Sequence, residues 1–132
     1  MADDATAMLH ASMPLCATLE MRTVSATKDE VVLEMDHSPD RCTTAGVTHG
    51  GALMALADSA GALCAFLNLP EGSKGTATIE SATRFLGAHT SGVVRAISTP
   101  LKAGRSIVTV ETRLVDASGM LVAKTTQSQI VR

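Results

Sequence analysis

Hydrophobic and polar positions alternate along two early parts of this chain, residues 15–27 and residues 31–36. Alternation with a period of two is typical of strands that bury one face. Lys28-Asp29 lies between the two runs and suits a turn. Before them, residues 3–12 are compatible with a short helix that Pro14 ends. The sequence therefore predicts a short helix followed by two strands.

The hydrophobic pattern changes to a continuous apolar block between Gly51 and Leu67. Ala, Leu and Met dominate this block, and these residues favour helices. Apolar residues occur on all sides of the predicted helix, so we expect it to be buried over most of its circumference. Thr48 is a candidate cap at its start. The preceding segment, residues 37–47, contains turn residues and is predicted to be a loop.

Four strand-like runs follow the long helix. Gly104 and residues 116–119 supply turn residues between the last three of them. One buried helix and one antiparallel sheet can share a core only if the sheet curls around the helix. We therefore predict a single α+β domain over residues 1–132. The four runs are Thr76–Leu86, Gly92–Leu101, Ser106–Val115 and Met120–Val131.

Composition excludes several classes of function. Aromatic residues make up 2% of the chain and the formal net charge is −2, which disfavours nucleic-acid binding. Three cysteines without metal-ligand spacing argue against a zinc site or a disulfide framework. The apolar block is shorter than the roughly 20 residues that span a bilayer, and the N-terminus lacks a signal-peptide pattern. We expect a cytoplasmic protein with reduced thiols and no metal.

The triplet His49-Gly50-Gly51 stands where the long helix is predicted to begin. The first N–H groups of a helix have no internal partner, and they carry the positive end of the helix dipole. Glycine allows a ligand to approach this backbone closely. The triplet thus suits an oxyanion or a carbonyl oxygen. The alternative is a glycine-rich turn that binds no ligand.

Asp58 is the second unusual residue, because it lies inside the apolar helix with Met54 and Ala62 one turn away. A buried carboxylate needs a partner to offset its desolvation, and such acids are frequent at functional sites. The alternatives are an Asp that faces solvent and an Asp in a structural ion pair. Gly50 and Asp58 are eight residues apart, roughly 12 Å along one helix. If both serve one site, they must come from two subunits related by a two-fold axis.

The run from Gly46 to Asp58 resembles the signature of hotdog-fold acyl-CoA thioesterases of the phenylacetyl-CoA and 4-hydroxybenzoyl-CoA type. Thr83-Arg84-Phe85-Leu86, Gly104-Arg105 and residues 116–119 agree with that family. The resemblance covers about residues 15–131. It implies a long central helix wrapped by an antiparallel sheet of five or six strands. It also implies a homodimer or a dimer of dimers, the latter a homotetramer.

The resemblance also implies roles for individual residues. The Gly50 N–H would polarise the thioester carbonyl, and Asp58 of the partner chain would act as general base or nucleophile. His49 would orient the loop or the thioester, and Thr78 would position water. No cofactor is implied, because a thioester is already activated. The substrate would be a small aryl-CoA or a short- or medium-chain acyl-CoA.

Thr43 departs from the family pattern, which often has Asn or Gln six residues before the histidine. We expect Thr43 and Gly51 to contact the substrate. The basic candidates for the CoA phosphates are either such contacts or solvated surface charges. They are Arg84, His89, Lys102 and Arg105.

Two alternative functions stay open at this point. The Thr43 departure is compatible with a non-catalytic module that binds acyl-CoA without hydrolysing it. A hotdog hydratase or dehydratase is a weaker alternative, since the spacing of Asp40 and His49 does not match that branch.

Overall fold

The structure, a computed structural model, describes residues 2–132, with side chains from residue 4 onward. Within these residues, three helices and six strands follow one another. Two 3₁₀ turns, Pro39–Arg41 and Thr44–Gly46, lie between β2 and α3. The elements are α1 (Ala2–Ser12), α2 (Pro14–Thr18), β1 (Arg22–Ala26), β2 (Val31–Asp36), α3 (Gly50–Phe66), β3 (Thr76–Phe85), β4 (Val93–Ala103), β5 (Ile107–Asp116) and β6 (Leu121–Val131).

The six strands form one antiparallel sheet in the order β1-β2-β4-β5-β6-β3. The predicted turns connect its last three strands. A Cβ at Gly104 would stand 2.8 Å from the carbonyl oxygen of Ile107, so the tight β4–β5 turn requires glycine. Asp116 Oδ1 accepts hydrogen bonds from the N–H groups of Ser118 and Met120 in the β5–β6 turn. Gly119 supplies the positive φ (88°) of that turn.

Helix α3 packs against the face of the sheet and forms the core with it. Leu56, Ala60 and Cys64 are fully buried on the helix, and Val94 and Leu114 are fully buried on β4 and β5. Burial of a leucine side chain of this kind contributes roughly 1.5–3 kcal/mol. A long helix against a six-stranded antiparallel sheet is the hotdog arrangement that the resemblance implied, so the predicted fold is confirmed.

One part of the predicted secondary structure is wrong. Residues 15–27 do not form a single strand, because α2 occupies Pro14–Thr18 and β1 begins only at Arg22. Pro14 stands at the start of α2, where its missing N–H costs no hydrogen bond. Cys16 on this short helix is fully buried, so the helix packs against the core through it.

Helix α3 is buried over most of its circumference, as expected, but one stripe that includes Asp58 is exposed in the single chain. Met54 is 40% exposed and Asp58 is also exposed, whereas the opposite side of the helix is buried. The neighbouring strand β3 pairs only with β6 and is therefore a sheet edge. Ile79 and Phe85 on β3 are 58% and 50% exposed. Apolar side chains thus remain uncovered on one side of α3 and along β3.

None of the helices within residues 2–132 is long and apolar enough to cross a membrane.

Candidate active site

The beginning of α3 is capped by His49. Its Nδ1 accepts a hydrogen bond of 2.8 Å from the N–H of Gly51, and its carbonyl oxygen accepts from the N–H groups of Ala52 and Leu53. The prediction that Thr48 is the cap is therefore wrong. A Cβ at position 51 would stand 3.0 Å from His49 Nδ1, so Gly51 makes room for the cap. Since Nδ1 accepts, the neutral His49 ring carries its hydrogen on Nε2.

The Gly50 N–H is the free donor of this first turn. Within the described part of the chain it has no hydrogen-bond acceptor, whereas the next three N–H groups all donate to His49. The ring of Phe85 lies against Gly50: a Cβ there would stand 3.2 Å from Phe85 Cζ. The Gly51 N–H, in contrast, is used by the cap. Gly51 is exposed but has no free N–H, so its predicted contact with the substrate would have to be made by other atoms.

His89 holds the loop before α3 from inside the protein. Thr48 donates its N–H to the His89 carbonyl (2.9 Å) and its hydroxyl to His89 Nδ1 (2.7 Å). His89 Nε2–H donates to the Gly92 carbonyl (3.0 Å). Only 1% of His89 is exposed, and this desolvation lowers the pKa of its ring below the ordinary value. The expectation that His89 meets CoA phosphates at the surface is therefore wrong.

Arg41 braces the same loop and was not found from the sequence. It is only 8% exposed, and its guanidinium donates to Glu20 Oε1 and to the Asp36 carbonyl, both at 3.2 Å. Its own carbonyl accepts the N–H of His49 at 2.9 Å. A buried charge with these partners fixes the residue that caps α3.

Asp58 lies on α3 about two turns after Gly50, beside β3 and β6. Its Oδ1 accepts hydrogen bonds from Thr78 Oγ1 (3.3 Å) and Gln127 Nε2 (3.2 Å). Gln129 Nε2 in turn donates to Thr78 Oγ1 at 2.5 Å, which leaves the Thr78 hydroxyl hydrogen for Asp58. The structure thus brings Thr78 next to Asp58. It orients the carboxylate with two donors on the exposed face of the helix.

Gln127 and Gln129 were missed by the sequence analysis. Both are only 1% exposed although they are polar. A Cβ at Gly61 would stand 2.5 Å from Gln127 Cδ, so Gln127 fits only because residue 61 is glycine. Both faces of β6 carry polar residues, since Thr126 and Ser128 alternate with the two glutamines. The sequence therefore gives no signal that singles them out.

Gly50 and Asp58 lie on one continuous helix, and their eight-residue separation corresponds to roughly 12 Å. Their contacts on β3 are also well separated: Phe85 meets Gly50, and Thr78, seven residues earlier on the strand, meets Asp58. One chain thus keeps its free amide and its oriented carboxylate too far apart for one carbonyl group.

The basic residues predicted to meet CoA are exposed but lie at two ends of the sheet. Arg84 pairs in register with Lys124, at the end where α3 begins. Lys102 and Arg105 lie in the β4–β5 hairpin at the opposite end. Ile107 of this hairpin and Ala77 of β3 both pair with Ile130 of β6, which places the hairpin level with the start of β3. Arg84 and Ala77 are seven residues apart on β3, roughly 23 Å. Arg84 and Arg105 of one chain therefore do not converge on one phosphate group.

Thr43 is exposed in the loop before α3, and its N–H donates to the Val47 carbonyl at 2.8 Å.

Cys64 is fully buried, as expected for a core residue, and burial raises the pKa of its thiol to about 11. Among the described residues, no group of three or more His, Cys, Asp or Glu side chains is arranged to hold a metal ion.

Known proteins resemble this chain in sequence and in structure. The model of the thioesterase superfamily matches residues 45–123, which is more than half of the chain and includes Gly50 and Asp58. A thioesterase from Haemophilus influenzae is 23% identical in sequence, with a TM-score of 0.90. The match covers 100% of this chain and 90% of that one. A thioesterase from Pseudomonas aeruginosa is 22% identical, with a TM-score of 0.87 and coverage of 96% and 92%. No curated protein matches the sequence.

A further solved structure is the phenylacetic acid degradation protein PaaI from Thermus thermophilus, in a mutant form. It is 25% identical, with a TM-score of 0.80, and the match covers 89% of this chain and 97% of that one. The family match favours an enzyme over the non-catalytic module. The chain therefore belongs to the thioesterase superfamily, has its hotdog fold and is a thioester hydrolase.

Proposed function

We propose that this protein hydrolyses acyl-CoA thioesters at sites formed between two copies of the chain. Each site takes the Gly50 N–H from one copy and the Asp58 carboxylate from the other. The observation that carries the proposal is the separation of two complementary groups. The free Gly50 N–H at the start of α3 and the oriented Asp58 carboxylate lie along the same side of the helix. Within one chain they are roughly 12 Å apart.

The edge strand β3 supports a two-fold assembly. An exposed edge of ten residues with apolar side chains is a template for strand pairing. Antiparallel pairing of two β3 strands about their midpoint would bring the Phe85 end of one copy to the Thr78 end of the other. The Gly50 of one helix and the Asp58 of the other would then face each other. Pairing would also cover Ile79 and Met54, giving a homodimer or the unit of a dimer of dimers.

In the reaction, the thioester oxygen accepts a hydrogen bond from the Gly50 N–H, strengthened by the helix dipole. As general base, Asp58 takes a proton from water while that water attacks the carbonyl carbon. The tetrahedral intermediate expels the CoA thiolate, which is protonated to the thiol, and the carboxylate product remains. As nucleophile, Asp58 would instead form an anhydride that water hydrolyses. Both routes suit Asp58 Oδ2, since the hydrogen bonds to Thr78 and Gln127 use Oδ1.

The remaining residues support this chemistry. His49 fixes the first turn of α3, and its Nε2–H is a second donor for the thioester or water. Thr78 orients the Asp58 carboxylate, and through it the attacking water. Thr43 offers a hydroxyl where relatives offer an amide.

Charged residues at both ends of the sheet suit the CoA phosphates. Pairing of two β3 strands would bring the Lys102–Arg105 end of one copy towards the Arg84 end of the other, so that both groups serve one phosphate-binding surface. The thioester needs no metal or cofactor for activation, so we expect turnover with substrate and water alone. We place this activity in the cytoplasm.

The test is thiol release from a panel of aryl- and alkyl-acyl-CoAs, comparing wild type with Asp58→Asn. Removing a general base lowers rates by about 10²–10⁴, and the isosteric amide keeps the shape of the side chain. We expect kcat to fall by at least about 100-fold with an unchanged circular dichroism spectrum. Wild-type turnover by Asp58→Asn would refute the role of this residue.

A further inference from the structure

A cavity of about 580 Å³ lies between α1, the second half of α3, β1 and the start of β3. Its volume is within the usual range for small-molecule sites. Ala62, one turn after Asp58 on α3, forms part of its wall. Thr76, whose Oγ1 lies 3.1 Å from Gln129 Oε1, forms another part. The cavity thus begins beside the Asp58–Thr78 pair and extends away from Gly50.

The wall of this cavity is apolar and uncharged. Met8 from α1, Met13 from the α1–α2 junction and Leu63 and Phe66 from α3 contribute to it. None of the lining residues is Asp, Glu, Lys, Arg or His. Met8 and Phe66 are 71% and 56% exposed, so large apolar side chains surround an unfilled space. Exposed apolar surface of this kind marks a binding site.

The hydroxyl groups in the wall are largely engaged within the chain. Thr23 Oγ1 donates to the Ala5 carbonyl at 3.4 Å, and Thr76 Oγ1 donates to the Ile130 carbonyl at 3.0 Å. Among the lining side chains, the Ser12 hydroxyl has no hydrogen bond to a side chain or backbone group of the described residues. A hydroxylated or charged acyl group would therefore find few partners here, whereas an alkyl chain needs none.

The distance from Asp58 to the far wall of the cavity sets the length of its ligand. On α3 that wall includes Phe66, eight residues and roughly 12 Å beyond Asp58, and an extended chain of about eight to ten carbons covers this distance. An aryl group would fill only the part near Ala62. We infer that this cavity is the acyl-chain pocket, with α1 as its cover, and that it selects unbranched medium-chain acyl groups over aryl groups. This inference rests on the proposed acyl-CoA hydrolysis.

Calorimetric binding of S-octyl-CoA and S-ethyl-CoA, two thioethers that cannot be hydrolysed, tests the pocket separately from catalysis. Each buried methylene raises affinity by up to about fourfold. We therefore expect S-octyl-CoA to bind at least about 50-fold tighter than S-ethyl-CoA. Equal affinities would overturn the inference and leave the proposed hydrolysis intact. Absence of thiol release from every acyl-CoA would instead refute the proposed function.

Two variants locate the chain within the cavity. Ala62→Leu keeps a strong helix former and fills the space beside Asp58, and Met8→Glu places a charge on the α1 wall. Each should weaken S-octyl-CoA binding by at least about tenfold and leave S-ethyl-CoA binding nearly unchanged. Ala7→Leu is the matched control, since Ala7 is exposed on α1 and does not line the cavity. If both variants bind S-octyl-CoA as the control does, the chain does not occupy this cavity.

Discussion

Gly61 and Gln127 are in such close contact that the Gln127 side chain occupies the space that a Cβ on residue 61 would need. That Cβ would stand 2.5 Å from Gln127 Cδ. The same Gln127 donates to Asp58 Oδ1. A missing methyl group on one turn of α3 thus sets the position of the donor that orients the carboxylate one turn earlier.

Gly61→Ala tests this relationship through the sign of its effect. In an exposed helix interior the change stabilises by up to about 1 kcal/mol. Here the added methyl group displaces Gln127, so we expect a lower free energy of unfolding and a lower kcat. Urea denaturation and thiol release measure the two effects. In the Gly61→Ala/Gln127→Ala double variant the overlap is gone, so the two changes should be strongly non-additive. Simple additivity would show that the contact carries no energy.

Gln127→Met separates orientation of Asp58 from packing of the core. Methionine is similar in size and flexible but cannot donate to the carboxylate. We expect kcat to fall about tenfold, the factor for a lost hydrogen bond of about 1.4 kcal/mol, with little change in KM. Steady-state assays measure both constants, and the circular dichroism spectrum and Tm check that the fold is kept. An unchanged kcat would show that the Gln127 hydrogen bond does not orient the carboxylate.

His89 makes stability depend on pH in a predictable direction. Desolvation lowers its pKa in the folded state below the ordinary 6.5, so the unfolded chain binds the proton more tightly. Its contribution is therefore fully present above pH 6.5 and is lost as the pH falls towards the folded pKa. His89→Gln should be less stable than wild type at pH 8, and the gap in Tm should narrow on acidification. A constant gap between pH 8 and pH 5 would contradict this account.

Gly50→Pro removes the free N–H and adds a ring whose Cβ meets Phe85. Proline is favoured at the first helical position, and the extended His49 backbone (φ −59°, ψ 132°) suits a residue before proline. Loss of an oxyanion donor lowers kcat by about 10²–10³. Gly50→Ala is the matched control, because it adds the Cβ that meets Phe85 but keeps the N–H. We expect steady-state assays to show a far smaller loss for Gly50→Ala, and equal losses would assign the effect to the Phe85 contact.

Local patterns were sufficient to predict α3, the hairpins of β4–β6 and the separation of Gly50 from Asp58. Helix-forming residues fill the segment 51–67, and the turn chemistry of Gly104 acts within a few residues. Both signals are therefore visible in the sequence. The alternation over residues 15–27 was misleading, since Pro14 begins a short helix there and that helix buries Cys16.

The supporting residues depend on contacts between distant parts of the chain. Gln127 reaches Asp58 across 69 positions, and Thr48 reaches His89 across 41. His89 stands among turn residues and so was expected at the surface. Its burial becomes evident only when the loop before α3 folds over it.

A mixed dimer tests the shared site most directly. Asp58→Asn and Gly50→Pro chains carrying different tags would be co-expressed and the heterodimer purified, with a wild-type/Asp58→Asn heterodimer as control. In a site built from two chains, the mixed dimer holds one intact site and one doubly altered site. Its thiol-release rate should reach about half the wild-type rate, far above either altered homodimer. A mixed dimer as inactive as both homodimers, or a strictly monomeric active enzyme, would contradict the account.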